Sequence, residues 1–306
     1  MPRVSVTTTN PERIDVEYET FGSSGDPALL LVMGFTAQLT AWDEGFCQAL
    51  ADRGRYVIRF DNRDSGLSTH LDGVQVDPQA LLKARLAGEP MPPAPYDLTD
   101  MGNDGFGLLD ALGIEQAHLV GASMGGMLVQ TMALERPERC LTMTSIMSSP
   151  GDPRAGKPTK EALAVLMTPP PNDRDAYVAN AAVNGAVTGS KRYFDPATAQ
   201  ARAAVAFDRA FYPEGAPRQM AAIYATGDRT ERLRGLTVPT LVLHGRDDTL
   251  ITPSGGTLTA EAIPGAHLLL LADMGHDIPE PLWPVIVPAI VNFQDQAVGI
   301  DAAAVR

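Results

Sequence analysis

Short runs of apolar residues, many of them β-branched, alternate along the chain with longer segments of helical periodicity. The runs occur at residues 28–33, 56–60, 117–120, 141–147, 238–244 and 267–271. Continuously apolar strands are typical of a parallel sheet that is covered by helices on both faces. The pattern therefore predicts an α/β fold built on a mostly parallel sheet with flanking helices.

The segments around these runs predict the remaining elements. Residues 3–8 and 14–21 are predicted to form a hairpin or meander, which brings the expected sheet to eight strands. Residues 71–95 are irregular and end in a proline cluster at 90–95, which we expect to border the mouth of a site. Helices are predicted at residues 38–52, 79–86, 98–112 and 127–135, and from about Leu282 onward.

The alternation stops between residues 150 and 235, where the sequence is rich in alanine, proline and aromatic residues. Helical patterns continue there, but no apolar run predicts a strand of the sheet. A helical insertion between two parallel strands is expected to lie over the carboxyl edge of the sheet as a cap or lid. We therefore predict a core formed by residues 1–149 and 236–306, and a cap formed by residues 150–235.

Composition removes several classes of function. With 306 residues, of which 44% are hydrophobic, the chain can bury a large core. Its formal net charge of −13 argues against nucleic acid or an anionic membrane surface as a partner. Cys47 and Cys140 lie far apart and lack the spacing of metal ligands, so both are expected to be reduced core residues of a cytoplasmic protein.

Neither end of the chain carries a pattern typical of export or of a membrane anchor. The first residues lack an apolar stretch followed by a cleavage site, so no signal peptide is predicted. The apolar stretch at 281–293 contains Pro284 and Pro288 and is too short to span a bilayer. A small-molecule substrate is thus the expected partner, and the sequence is compatible with a homo-oligomer.

Residues 121–125 carry the strongest chemical signal. They read Gly-Ala-Ser-Met-Gly and stand between a predicted strand and a predicted helix. Glycine two residues before and after Ser123 fits a sharp turn with no room for side chains at those positions. A serine at a helix N-terminus also meets a positive potential, which favours the negative charge formed when an acyl group is attacked. We predict Ser123 as a nucleophile; the alternative is a glycine-rich turn with an inert serine.

A serine nucleophile needs a base, and the chain offers five histidines. We favour His276 as the general base, because its loop directly follows the strand at 267–271, at the edge where Ser123 must lie. His70, in the irregular loop, could approach the mouth of the site. The other histidines are expected to be structural or surface residues: His118, His244 and His267.

The base needs an orienting carboxylate from another strand end. The strand at 238–244 is followed by Asp247 and Asp248, and we favour Asp248 because such turns usually bring the third residue after the glycine inward. Asp247 is then a solvated neighbour, and Asp152, after an earlier strand, is a further alternative. The chain order Ser, Asp, His matches that of α/β-hydrolases and differs from the two protease orders.

An oxyanion hole needs two backbone N–H groups. One is predicted from Met124, the residue after the nucleophile, and the other from the loop after the third strand. Gly34 allows a sharp turn there, which assigns the second donor to Phe35; the alternative for Phe35 is core packing. Gly34, Phe35 and Trp42 are predicted to contact the substrate, although Trp42 could equally cap its own helix.

Together these residues resemble those of α/β-hydrolase-fold serine hydrolases across nearly the whole chain. Met33-Gly34 stands where that family usually has His-Gly, a variant that resembles bacterial esterases of the aclacinomycin methylesterase type. The resemblance implies a triad of Ser123, Asp248 and His276, and it implies that Asp61 and Arg63 brace loops near the site. The motifs that carry it stand at the family's usual intervals, at residues 31–35, 60–68, 121–126, 244–248 and 274–276.

We therefore expect a serine carboxylesterase for small to medium apolar esters that works through an acyl-enzyme and needs no metal or organic cofactor. A serine at this turn argues against dehalogenases and epoxide hydrolases, because the resemblance implies that those members of the family have an aspartate nucleophile there. A natural-product methylesterase or lactonase is an alternative, and a non-catalytic ligand-binding protein is another. Large residues of the predicted cap are expected to be divided between its core and the pocket: Met167, Tyr177, Tyr193, Phe194, Phe207, Phe211, Tyr212, Met220 and Tyr224.

Overall fold

An eight-stranded sheet forms the centre of the protein, counted over residues 1–8 and 10–304, which the computed structural model describes. The side chains at 85, 86 and 300–304 lie outside that description. In chain order the strands are β1 (Arg3–Thr7), β2 (Arg13–Phe21), β3 (Ala28–Val32), β4 (Tyr56–Phe60), β5 (Ala117–Ala122), β6 (Cys140–Ile146), β7 (Thr240–Gly245) and β8 (His267–Leu271).

The strands lie in the order β1-β2-β4-β3-β5-β6-β7-β8. β1 and β2 form the predicted antiparallel hairpin, β2 pairs antiparallel with β4, and every pairing from β4 to β8 is parallel. The prediction of a mostly parallel eight-stranded sheet is confirmed. Since parallel strands end at the same edge, the loops after β3, β5, β7 and β8 meet on one side of the molecule.

Helices cover both faces of the sheet. Leu30 of β3 packs with the residues of α3 (Leu98–Ala111) and α4 (Met124–Glu135), whereas its neighbours Leu29 and Leu31 pack with those of α1 (Glu44–Ala51) and α11 (Trp283–Ala304). This alternation follows from the strand period of two and explains why β3 is apolar at every position. The helices are α1 (Glu44–Ala51), α2 (Pro78–Ala87), α3 (Leu98–Ala111), α4 (Met124–Glu135), α5 (Lys160–Met167), α6 (Arg174–Thr188), α7 (Pro196–Ala210), α8 (Ala216–Thr226), α9 (Thr230–Leu233), α10 (Ser254–Ala262) and α11 (Trp283–Ala304).

Two helices begin three or more residues away from the predicted positions. The helix predicted over residues 38–52 is a 3₁₀ turn, Leu39–Ala41, followed by a separate α1. Asp43 causes the break, because its carboxylate accepts the N–H of Gly45 at 2.8 Å and so caps α1 as a new helix. α4 begins at Met124, directly after Ser123, rather than at residue 127.

Between β6 and β7 the described chain has five helices and no strand, as the sequence pattern predicts. We call α5 to α9 the inserted helices. Ala222 of α8 and Leu233 of α9 belong to the buried cluster that α3 and α4 form with the sheet, so the last inserted helices pack on the core. The division at residue 235 stays a prediction, and residues 305 and 306 of the predicted core lie outside the described part.

Both cysteines are buried and free, as expected for core residues. Burial raises the pKa of the Cys47 thiol and that of the Cys140 thiol to about 12. Neither thiol is therefore a reactive thiolate near neutral pH. Among the described helices, none has the length and hydropathy that a bilayer crossing requires.

Candidate active site

Ser123 lies at a strained turn between β5 and α4. Its φ of 59° is in the left-handed region, which costs a non-glycine residue conformational energy. A Cβ on Gly121 would stand 2.0 Å from the carbonyl oxygen of Gly125, and a Cβ on Gly125 would stand 2.0 Å from that of Val32. Both glycines are thus required by backbone contacts, as the sequence pattern predicts. The turn presents the serine hydroxyl at the carboxyl edge of the sheet.

His276 and Asp248 meet Ser123 from two other loops of that edge. The Nε2 atom of His276 lies 3.0 Å from the Oγ atom of Ser123, and its Nδ1 atom lies 2.8 Å from Oδ2 of Asp248. His276 follows β8 and Asp248 follows β7. The structure therefore brings the three predicted residues into one hydrogen-bonded chain, with geometry that allows a proton to pass from the serine to the imidazole.

Asp248 is held as an ionised carboxylate. Its Oδ1 atom accepts the backbone N–H groups of Leu250 and Ile251 at 2.8 and 3.0 Å. Burial alone would raise the pKa of Asp248, but the interactions with His276 and His244 outweigh it and lower the pKa to about 2. An anion at this place fixes the orientation of the imidazole and stabilises it when it becomes positively charged.

The loop of His276 is anchored to the C-terminal end of α6. The N–H of His276 donates to the carbonyl of Thr188 at 2.7 Å, and the N–H of Gly275 donates to Oγ of Ser190 at 2.9 Å. Ser190 also hydrogen-bonds the carboxylate of Asp277. Sequence reasoning missed Ser190, because nothing in the local pattern around it indicates a contact with a loop 85 positions away.

The two amides predicted for the oxyanion hole belong to segments that adjoin Ser123 on two sides. Met124 follows Ser123 at the start of α4, where helical N–H groups have no partner within the helix. On the other side, a Cβ on Gly34 would stand 3.0 Å from Cβ of Ser123, so the loop after β3 lies against the nucleophile. In the described part of the chain, neither the Met124 N–H nor the Phe35 N–H has an acceptor.

Among the described residues, none of the alternative acids and bases hydrogen-bonds Ser123, although Asp152 lines the same cavity and His244 lies 3.5 Å from Oδ2 of Asp248. Asp152 pairs with Arg154, which lowers the pKa of that carboxylate to about 2. Asp247 is exposed. The remaining histidines make contacts that fit structural or surface roles: His70 stacks on Tyr212, His118 hydrogen-bonds Thr142, His244 hydrogen-bonds the carbonyl of Ile251, and His267 stands against Phe293. Within the described residues, no group of three or more His, Cys, Asp or Glu side chains could hold a metal ion.

Asp61 and Arg63 brace neighbouring loops, as the resemblance implies. Asp61 accepts the N–H groups of Leu39 and Leu67 at 2.6 and 2.8 Å, so it ties two loops together. Arg63 pairs with Asp104 of α3, and both side chains are fully buried. None of these contacts of Asp61 and Arg63 involves Ser123. Their role is to fix the loop that follows β4.

A cavity of about 1180 Å³ opens onto Ser123 and His276. Gly34, Phe35 and Trp42 all line it, and so does Met91 from the proline-rich loop. Trp42 is nevertheless only 1% exposed and stacks on Phe46, so the ring is also part of the core. Of the large residues in the predicted cap, the ones that line the cavity are Met167, Tyr177, Phe211, Tyr212, Met220 and Tyr224.

The other large residues of the inserted helices pack among themselves or on the core. Phe207 stacks on Phe211 with ring centroids 4.5 Å apart, and Phe194 lies against Gly185 of α6. Tyr193 packs on the buried cluster that contains α1 and α11. The expected division between core and pocket is therefore observed, and the cavity lining is predominantly apolar.

The chain belongs to the alpha/beta hydrolase fold family, whose model matches residues 27–280. It is 26% identical over 294 residues to rhodomycin D methylesterase of Streptomyces sp. strain C5, covering 86% of this chain and 91% of that relative. The resemblance to aclacinomycin-type methylesterases is thereby confirmed. These likenesses support a hydrolase.

Two solved structures show the same architecture. A hydrolase from Pseudomonas aeruginosa PA01 superimposes with a TM-score of 0.67 at 25% identity, covering 95% of this chain and 97% of that one. A meta-cleavage product hydrolase from Pseudomonas fluorescens IP01 gives a TM-score of 0.74 at 21% identity, covering 96% and 98% of the two chains. The second likeness concerns the fold alone.

Proposed function

We propose that the protein is a serine carboxylesterase that hydrolyses small to medium apolar esters through an acyl-enzyme intermediate. The observation that carries the proposal is the hydrogen-bonded chain from Asp248 through His276 to Ser123, at 2.8 and 3.0 Å, facing the cavity. A serine hydroxyl is a weak nucleophile until a positioned base takes its proton. The family and its methylesterase relative support the same chemistry.

In the acylation step, Oγ of Ser123 attacks the ester carbonyl while Nε2 of His276 takes the hydroxyl proton. Asp248 stabilises the imidazolium that forms, since its carboxylate lies 2.8 Å from Nδ1. The tetrahedral oxyanion receives the N–H groups of Phe35 and Met124, which have no acceptor in the described part of the chain. His276 then gives its proton to the departing alcohol.

In the deacylation step, water attacks the acyl-serine carbonyl and loses a proton to His276. The second tetrahedral intermediate uses the same two amides, and its collapse returns the proton to Oγ of Ser123 and releases the acid. The cycle is complete with these side chains and backbone groups. It requires no metal or organic cofactor.

The cavity supports an apolar substrate. Seven methionines line it, and flexible thioether side chains adapt to apolar groups of different shape.

We propose that residues 150–235 act as a cap over this cavity, with the remainder as the catalytic core. The likeness to rhodomycin D methylesterase favours a second candidate, a methylesterase that accepts few acids.

Hydrolysis of p-nitrophenyl acetate, butyrate and octanoate by the wild type and by Ser123→Ala tests the proposal. The wild type should release p-nitrophenol at neutral pH without added metal, and Ser123→Ala should lose activity by about 10⁴-fold or more. Ser24→Ala is the matched control, because Ser24 is exposed in a turn remote from these loops. A serine-directed sulfonyl fluoride, followed by peptide mass spectrometry, should label Ser123.

The outcomes separate the candidates. A wild type that is inactive on these esters but cleaves a methyl ester of a bulky acid would select the narrow methylesterase. A wild type that hydrolyses neither class and resists labelling would leave the non-catalytic binding protein. Full activity in Ser123→Ala would refute Ser123 as the nucleophile.

A further inference from the structure

Within the described residues, three side chains from outside the loop after β3, residues 33–37, hydrogen-bond its backbone. Asn62 donates to the carbonyl of Met33 at 2.9 Å, and the Ser65 hydroxyl lies 3.0 Å from the carbonyl oxygen of Ala37 and 3.3 Å from that of Thr36. The third side chain is Gln219 of α8, whose Oε1 atom accepts the N–H of Thr36 at 2.8 Å. Two of the anchors come from the loop after β4, and one comes from the inserted helices.

Thr36 is the strained residue of this loop. Its φ is 57°, a conformation that β-branched residues rarely adopt and that persists only where surrounding contacts enforce it. The strain lies directly after Phe35, whose N–H is the second oxyanion donor of the proposed mechanism. The Thr36 N–H and the Phe35 N–H belong to adjacent peptide units that are joined at the Cα atom of Phe35. A contact that holds the Thr36 N–H therefore constrains the direction of the Phe35 N–H as well.

The side chain of Gln219 holds the backbone of Thr36 through a buried hydrogen bond. The side chain is fully buried, and both ends of its amide are used, since Nε2 donates to the carbonyl of Arg63 at 2.8 Å while Oε1 accepts from Thr36. These two backbone partners allow only one orientation of the amide. A buried amide satisfied at both ends makes a rigid bridge between the loop after β3 and the loop after β4.

The helix that carries Gln219 is itself locked in register. Arg218 pairs with the buried carboxylate of Asp64 at 2.7 Å. A Cβ on Gly215 would stand 2.0 Å from the carbonyl oxygen of Asp64, so the turn before α8 lies directly on that backbone. A shift of α8 along its axis would break both contacts, and Gln219 is thereby held opposite Thr36.

We infer that Gln219 is a positioning residue for the oxyanion hole: it acts through Thr36 to aim the Phe35 N–H at the reacting carbonyl oxygen. The inference rests on the proposed esterase function. It also gives the inserted helices a part in catalysis that is separate from roofing the cavity. Loss of the bridge should weaken stabilisation of the transition state while leaving substrate binding nearly unchanged.

Replacement of Gln219 by methionine removes both hydrogen bonds at similar side-chain length. For Gln219→Met we expect kcat on p-nitrophenyl butyrate to fall by about ten- to a hundredfold, with KM within about twofold of wild type. Inhibition by a trifluoromethyl ketone, which forms an oxyanion on Ser123, should weaken by a similar factor. Gln219→Glu keeps an acceptor for the Thr36 N–H, and its protonated carboxyl can also donate to the carbonyl of Arg63. With the carboxyl protonated, this variant should restore kcat to within about threefold of wild type.

Thr226→Val is the matched control, because Oγ1 of Thr226 joins the other end of α8 to Leu98 of α3 with a 2.9 Å hydrogen bond. It should lower the melting temperature without a selective fall in kcat. A fall in kcat for Gln219→Met no larger than in Thr226→Val, or equal changes in kcat and KM, would overturn the positioning role alone. Wild-type protein that is inactive on esters would overturn the proposed function and the positioning role together.

Discussion

Two strained turns meet at the proposed reacting centre, and they are maintained in different ways. At the serine turn, φ is 59° at Ser123, and the tight contacts fall on two glycines of the same pentapeptide. In the loop after β3, φ is 57° at Thr36, and the side chain that anchors its amide stands 183 positions away in the chain. A strained turn can thus be encoded within a motif or imposed by the tertiary structure.

The largest effect is expected from breaking the turn that the motif encodes. Alanine at position 125 would place its Cβ 2.0 Å from the carbonyl oxygen of Val32, a backbone atom that cannot turn away. Gly125→Ala should lower the free energy of unfolding by about 3 kcal/mol and displace Ser123 from His276. Urea denaturation followed by circular dichroism, with ester hydrolysis alongside, measures both effects.

Gly25→Ala is the matched control for that substitution. The nearest atom to a Cβ at position 25 is Oγ of Ser23 at 3.7 Å, an ordinary contact distance. This variant should unfold and hydrolyse esters like the wild type. If Gly125→Ala behaved in the same way, the serine turn would not depend on its glycines, and the distinction between the two turns would fail.

The strands that lead into the two turns also differ, and the difference predicts how the stability of the protein depends on pH. β3 is entirely apolar, whereas β5 carries His118, which is 2% exposed and 2.9 Å from Oγ1 of Thr142. Burial lowers the pKa of His118 to about 4. The folded protein therefore keeps His118 neutral at pH values where the unfolded chain, with an ordinary pKa of about 6.5, binds a proton.

This linkage predicts how stability depends on pH. The contribution of neutral His118 is fully present above about pH 6.5 and is lost as the pH falls toward 4, an effect of roughly 3 kcal/mol. In His118→Phe, the free energy of unfolding should change less between pH 7 and pH 4.5 than in the wild type. Urea denaturation at the two pH values measures this change. An unaltered pH dependence in the variant would assign the acid sensitivity to other groups.

The same contrast explains which parts of the protein the sequence could predict. The strands follow from the apolar runs of the sequence. The serine turn, Asp248 and His276 can be predicted as well, because each of them follows the end of such a run. Gln219 and Ser190 carry no such pattern: a buried glutamine and a serine after a helix become meaningful only when the fold brings them to distant loops. The helical pattern at residues 38–52 does not reveal the break before α1, because an aspartate such as Asp43 fits a position within a helix as well as an N-cap.

The smallest effect is expected from relieving strain in the turn that the tertiary structure imposes. Thr36 is exposed, and asparagine adopts the left-handed conformation more readily than a β-branched residue does. Thr36→Asn should therefore raise the free energy of unfolding by about 1 kcal/mol. Because the contact with Gln219 uses the backbone N–H, kcat should stay within about twofold of wild type. Urea denaturation and ester kinetics measure the two quantities, and Thr7→Asn in β1 controls for the substitution itself.

Combining Thr36→Asn with Gln219→Met tests whether the strain and the anchor are coupled. Residues that act on one structural element give non-additive effects in a double-mutant cycle, whereas independent sites add. Asparagine holds the left-handed conformation with less outside support, so it should recover part of the kcat that Gln219→Met loses. Strict additivity of the two changes in kcat would mean that Gln219 does not act through the backbone of Thr36. A partial recovery would establish that the loop after β3 depends on the inserted helices for a conformation that its own sequence disfavours.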